Sequence, residues 1–269
     1  MSSPRAATIP ASPDESAARR HPALAPVLSL DIRRYVRVHV ACMIALVVLC
    51  LAGQYCHFVL HHDRVLGLIR DFDLDEEANV PTWFETVTLV LAAALLEVAA
   101  RVNRSVRDGR WVRWRVLSSG FLFMSLDELA SIHERFRLPL QMLRNVPKFR
   151  AFSWVVPAAV LVALLFAFFL PWLRKLPERT RNGLLLAGAI FVAGAVGFEA
   201  LGGIVAMIAG MDNWTYVATY MVEETLEMTG CLLLIVTMLQ YLRSLHPVPV
   251  LEITSGPRPA AVGGGAERS

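Results

Sequence analysis

The sequence predicts an all-α fold, a polytopic membrane bundle of six transmembrane helices. Three observations lead there: the composition, the spacing of the apolar runs and the placement of the charges. Of 269 residues, 55% are hydrophobic and 18% charged, whereas soluble domains carry about a quarter charged. The apolar residues gather at about 36–60, 82–100, 114–134, 151–173, 183–209 and 214–242. Each run is long enough to cross a hydrocarbon layer of ~30 Å at ~1.5 Å per residue. The net charge of +3 comes from arginines between the runs, which excludes a basic nucleic-acid-binding domain.

Orientation follows from the basic residues. Nineteen of the 26 fall in the N-terminal segment, the second and fourth loops and the C-terminal segment, and seven fall on the other side. Cytoplasmic loops are enriched in Lys and Arg, so both termini are expected in the cytoplasm of a cell with an inner membrane. Trp83, Trp154 and Trp214 fall at the expected outer boundaries, and Trp111, Trp114 and Trp172 at the inner ones. An indole prefers that interfacial level. Residues 1–30 lack the apolar core of a cleavable signal peptide. They read as a disordered cytoplasmic tail, as do residues 247–269 with their Gly263-Gly264-Gly265 run. The six-helix domain is expected over 31–246, its first helix acting as an uncleaved signal anchor.

Helix two has a start signal. Pro81 precedes Thr82, and Glu85 follows three residues later, a capping-box spacing. Glu85 is therefore read first as a cap, with a site role as the alternative. The preceding DFDLDEE run (71–77) departs from an EF-hand loop, because Glu76 stands where Gly is needed and Thr82 where the bidentate Glu belongs. A solvated acidic loop is expected. Cys42, Cys50, Cys56 and Cys231 show no C-x-x-C or zinc spacing and read as small buried hydrophobes.

The chemistry is expected where acids lie inside apolar spans. These are Asp127 and Glu128 in helix three, Glu199 in helix five, and Glu223, Glu224 and Glu227 in helix six, with His133 and Glu134 at the outer end of helix three. No Lys or Arg occurs between 116 and 134 or between 182 and 242. One Asp at a span centre costs about 2.5–3.5 kcal/mol on insertion scales, so six unpartnered acids need an offset from shared protons, water, a base from elsewhere or a metal. Residue counts from the helix ends place all six near the outer half of the membrane. Gln54, Tyr55, His57, His61 and His62 of helix one fall near the same level. Glu97 differs, because it lies four residues before Arg101 and is expected to pair with it.

At 100° per residue, Asp127, Ser131 and Glu134 share a face, and Glu223, Glu224 and Glu227 fit within an arc of ~100°. Gly230 adjoins that arc and leaves room for a ligand or a neighbouring helix. The glycines of GAVGFEALGG (194–203) allow close helix approach. Carboxylates with an imidazole suit iron, manganese or zinc. The expected site is thus a divalent metal held by Asp127, Glu128, His133, Glu134, Glu199, Glu223, Glu224 and Glu227. The Glu-x-x-His pair of ferritin-like di-metal bundles is missing. Glu224-x-x-Glu227 resembles the acidic element of membrane iron permeases, without its preceding Arg, and no function carries over from four residues. The segments FDLDEEANVPTWFE, SLDELASIHE, GFEALGG and EETLEMTG resemble a bacterial membrane family that implies no activity.

The first functional expectation is a metal-dependent enzyme acting on a lipid-soluble substrate. A cation, proton or metal-ion transporter is the alternative, disfavoured by the lack of a polar ladder from Glu227 inward. The third is a non-catalytic assembly or partner protein, its acids protonated and hydrogen-bonded as packing glue. The segment 134–150 carries five bases on the outer side and reads as a contact for lipid phosphates or an anionic small molecule.

Overall fold

The computed structural model describes residues 31–62, 65, 67–105, 109, 111–132 and 155–245. Among them every regular element is helical: α1 (Ile32–Phe58), the short α2 (Leu68–Asp71), α3 (Val80–Ser105), α4 (Trp111–Ala130), α5 (Val155–Leu173), α6 (Glu178–Val192), a π-helical turn (Ala193–Phe198), α7 (Glu199–Ala209) and α8 (Trp214–Ser244). Four helical stretches are long and apolar enough to cross a membrane: Ile32–Phe58, Val80–Arg104, Glu178–Ala209 and Trp214–Ser244. They mark a membrane protein. Pro157–Leu173 is a shorter apolar helix.

Each helix turns one stripe inward. On α1 the stripe is His39, Met43, Leu46, Cys50 and Gln54, a helical spacing. On α3 it runs through Glu85, Leu89, Ala92, Leu96, Ala99 and Asn103, all buried. On α4 it includes Trp114, Ser118 and Ser125. The opposite faces expose Val38, Ile44, Val48, Val87, Leu122, Phe123 and Leu126, as a surface that meets lipid rather than water requires.

Helix α8 is the element on which α1, α3, α6, the π turn and α7 all pack. The α6–α7 stretch lies antiparallel to it along a seam of small residues. A β-carbon at Gly183 would come 2.5 Å from Thr237 Oγ1, one at Gly230 2.8 Å from the Phe191 nitrogen, and one at Gly194 2.7 Å from the Glu223 carbonyl oxygen. Gly202 faces Thr219 at the far end. The room left by Gly230 is thus taken by a neighbouring helix. Close backbone approach at small residues is how helices associate without a hydrophobic driving force.

Two apolar clusters result. One holds Leu96, Trp114, Phe169, Trp172, Ile235, Met238 and Tyr241, and the other holds Met43, Leu46, Cys50, Leu74, Val217, Tyr220 and Met228. In the first, Trp114 meets Trp172 edge-on with centroids 4.6 Å apart and stacks on Tyr241 at 5.1 Å. Trp114 and Trp172 are 0% and 2% exposed and pack between the helices. Trp83 and Trp214 are exposed, and Trp111 lies under Arg104 and Arg115. Trp154 lies outside the described residues, as do the segments 1–30 and 247–269 and the basic segment 134–150.

The acidic loop is solvated in part, with Asp71, Asp75 and Glu76 exposed, and held in part. Asp73 accepts hydrogen bonds from Gln54 Nε2 at 2.9 Å and from the Cys50 thiol at 3.7 Å. Leu74 is buried in the second cluster, and Tyr216 donates to Asp75 at 3.2 Å. These contacts pin the loop onto α1 and α8. The capping-box reading fails for a related reason. Helix α3 starts at Val80, and the Asn79 side chain accepts from the Thr82 backbone N–H at 3.1 Å. Thr82 is one turn inside, and Glu85 is left for another task.

The glycine seam predicts the outcome of paired substitutions. Gly230→Ala should cost about 1–3 kcal/mol, because its β-carbon meets Phe191 backbone that cannot swing away. Gly188→Ala, with nothing within 4 Å of the new carbon, should match or exceed the parent's stability by the ~1 kcal/mol that separates Gly from Ala in a helix. Thermal unfolding of purified protein in detergent reads both.

Candidate functional site

The parallel pair α3 and α8 sets the level of the site. Asn103 donates to the Tyr241 hydroxyl at 3.0 Å near one end. With nearly the same stagger, Glu85 comes beside Glu224 nearer the other end. The antiparallel pair α3 and α4 is fixed by Ser118 Oγ donating to the Ala93 carbonyl at 2.8 Å and by Arg115 donating to Glu97 at 2.8 Å. That pairing carries Glu128 to the level of Glu85. Gly194, pressed against Glu223 and Glu227, carries the start of α7 and Glu199 to the same level.

Six carboxyls result in one neighbourhood. Glu85 is within electrostatic reach of Glu224, Glu128 and Glu227, and Glu227 is within reach of Glu224, Glu223, Glu128 and Glu199. Asp75 of the pinned loop reaches Glu224 from the open end of α3. The group lies along α8 between the two apolar clusters. Glu85 is 7% exposed, and its Oε1 is buried with no hydrogen-bond partner. Glu128, Glu199, Glu223, Glu224 and Glu227 are half-buried.

Two carboxylates cannot hydrogen-bond to each other, since neither has a donor. A hydrogen bond between these two acids would need a proton on one of them. The π turn ends directly before Glu199, and such turns are frequent at functional sites.

Of the expected ligands, Glu128, Glu199, Glu223, Glu224 and Glu227 come together. Asp127, the neighbour of Glu128 on α4, is half-buried. His133 and Glu134 lie outside the described residues. Among the described residues, no three His, Cys, Asp or Glu side chains are placed to hold a metal ion. The polar residues of α1 go elsewhere. Gln54 binds Asp73, His57 Nε2 lies 3.0 Å from Asp212, and His61 and His62 are exposed. Glu97 pairs with Arg101 at 2.9 Å as expected, and also with Arg115. Glu85 is the group member that sequence reading assigned first to a cap. Its signal was the spacing 85, 89, 92, 96, which places it on the apolar stripe of α3.

A helical membrane protein with a layer of buried and half-buried carboxyls is the class these features define. The chain belongs to the family described as Domain of unknown function (DUF8692), whose model matches residues 40–242, a stretch that contains all six carboxyls. No curated protein and no solved structure matches it.

The carboxyl pair makes its own prediction. In a double-mutant cycle of Glu85→Ala and Glu224→Ala, the loss for the double variant should fall short of the sum of the single losses by about 0.5–3 kcal/mol, the range for directly contacting polar residues. Additive losses would mean that the two side chains are not coupled.

Proposed function

We propose that this is a six-span inner-membrane protein, with both termini cytoplasmic, whose function is proton exchange at the buried carboxyl group. The reading is of the transporter class, a membrane carrier that loads and unloads protons. The carrying observation is the buried Glu85 Oε1, which has no hydrogen-bond partner and lies among the carboxyls of Glu224, Glu128 and Glu227. A shared proton in an apolar layer offsets the cost of burying several acids without needing a base for each. The unpartnered oxygen is a ready acceptor for a proton. The excess of bases on the N-terminal side and the exposed apolar faces of α1 and α4 support the orientation and the contact with lipid.

Dicyclohexylcarbodiimide reacts with protonated carboxyls in apolar surroundings and tests this directly. The full chain in detergent at neutral pH should form an adduct on the peptide carrying Glu85 or Glu224. Glu224→Gln and Glu85→Gln should each lower the yield several-fold. An unlabelled parent chain would overturn the reading.

The second reading is a divalent-metal site serving an enzyme that acts on a lipid-soluble or anionic substrate. The abundance of carboxylate oxygen favours it, notably Glu227 with four carboxyls around it. Such a site would bind iron, manganese or zinc through Glu128, Glu199, Glu223, Glu224 and Glu227, with Asp127, His133 and Glu134 as the remaining expected ligands. Element-resolved metal content of protein prepared with metal present decides it. Retained metal that falls in Glu227→Gln and Glu199→Gln supports the metal site, and its absence removes it.

A further inference from the structure

We propose that the start of α4 and the end of α5 bind an anionic phospholipid, with Arg113 holding the headgroup phosphate and the uncovered faces below it taking an acyl chain. The place lies about four turns along α4 from Glu128 and uses none of the clustered carboxyls.

Four helix ends meet here. Arg115, near the start of α4, pairs with Glu97, near the end of α3, at 2.8 Å. Trp114 meets Trp172 in the last turn of α5, and α6 begins soon after, at Glu178. Residues 97–104, 111–115 and 174–181 hold eight Lys and Arg but only two acids, Glu97 and Glu178. Glu97 is already taken by Arg101 and Arg115. This end is therefore strongly positive, and basic surfaces between membrane helices attract anionic headgroups.

Within it, Arg113 lacks an acceptor. The side chain is half-buried, and its guanidinium lies over the Phe168 ring, 5.6 Å from the centroid. Its Nε is buried and has no hydrogen-bond partner. Two more buried donors without partners stand in the same corner, Nε1 of Trp114 and Nε1 of Trp172. An indole donates and cannot accept, so this aromatic wall offers the guanidinium nothing to bond. Both indoles are closed off from the outside, which leaves the guanidinium as the member that an incoming group can reach. A buried donor left unmade is costly. A phosphate oxygen relieves that cost, and the planar fork of Arg matches phosphate geometry.

The surface below the guanidinium selects a lipid over a free anion. Arg113, Val116 and Gly120 share one face of α4, and Phe168, Leu165 and Leu161 share one face of α5. Because α4 starts at this end and α5 finishes there, both rows run from the Arg113–Phe168 contact into the apolar layer. Val116, Leu161, Leu165 and Phe168 are exposed. Gly120 is exposed as well, and a β-carbon there would meet nothing within 4 Å. An acyl chain covers these rows, whereas inorganic phosphate would leave them bare.

Native mass spectrometry of the full chain, released from micelles containing phosphatidylglycerol, tests the site. The parent should retain phosphatidylglycerol several-fold better than phosphatidylcholine. Arg113→Gln should lower that retention several-fold, and so should Arg113→Lys, which keeps the charge but loses the planar fork. Gly120→Leu, which fills the open space and leaves Arg113 in place, should lower it too. Arg179→Gln, which removes an exposed base at the same end, should match the parent. Equal losses in Arg179→Gln and Arg113→Gln would mean a diffuse basic surface and overturn the site, as would parental retention in Arg113→Lys. Equal retention of phosphatidylcholine overturns the anionic class, and parental retention in Gly120→Leu overturns the acyl track. Inorganic phosphate supplied in place of the lipid should leave no adduct. A phosphate adduct that Arg113→Gln removes would make the ligand a free anion and overturn the lipid. If Arg113→Gln does not fold, Arg113→Lys decides.

Discussion

Acid side chains in an apolar layer constrain everything else in this molecule. A lone carboxylate there costs several kcal/mol, and no Lys or Arg stands on α8 near Glu223, Glu224 or Glu227. The structure answers that constraint by gathering the acids of α3, α4, α7 and α8 at one level, with Glu85 beside Glu224. Once the pair is formed, the stagger of α3 on α8 is set, since slipping either helix by one residue would turn its carboxyl ~100° away.

The bundle is built to keep that stagger. Asn103 and Tyr241 lock the far ends of α3 and α8, and the Trp114, Trp172 and Tyr241 rings fill the space beside them. Glycines bring α6, the π turn and α7 against α8 closely enough for Glu199 to join. The loop after α1 closes the other end, with Asp73 tied to Gln54 and Cys50, and Asp75 tied to Tyr216. The site therefore lies between two apolar clusters.

The pinned loop shows how sequence reading can miss part of what an acidic run does. DFDLDEE looks solvated because five of its seven residues are acidic. Alternation decides otherwise: Phe72 and Leu74 reach the core, and Asp73 between them finds donors on α1. Those donors come from 19 and 23 residues earlier, a distance no local pattern spans. Glu85 was misjudged for a similar reason. Thr82-x-x-Glu85 satisfies a local rule, but Asn79 was the better placed cap.

By itself, the sequence determined the helical class, the membrane setting and which acids lie in apolar spans, because periodicity and hydropathy are properties of single segments. It also determined the Glu97–Arg101 pair, whose partners are one turn apart. Only the tertiary structure decided that Glu85 joins the acids, that Trp114 and Trp172 fill a core, and that Gly230 makes room for a helix. Each of those depends on which helix faces which and at what stagger, and that is settled by contacts between residues far apart in the chain.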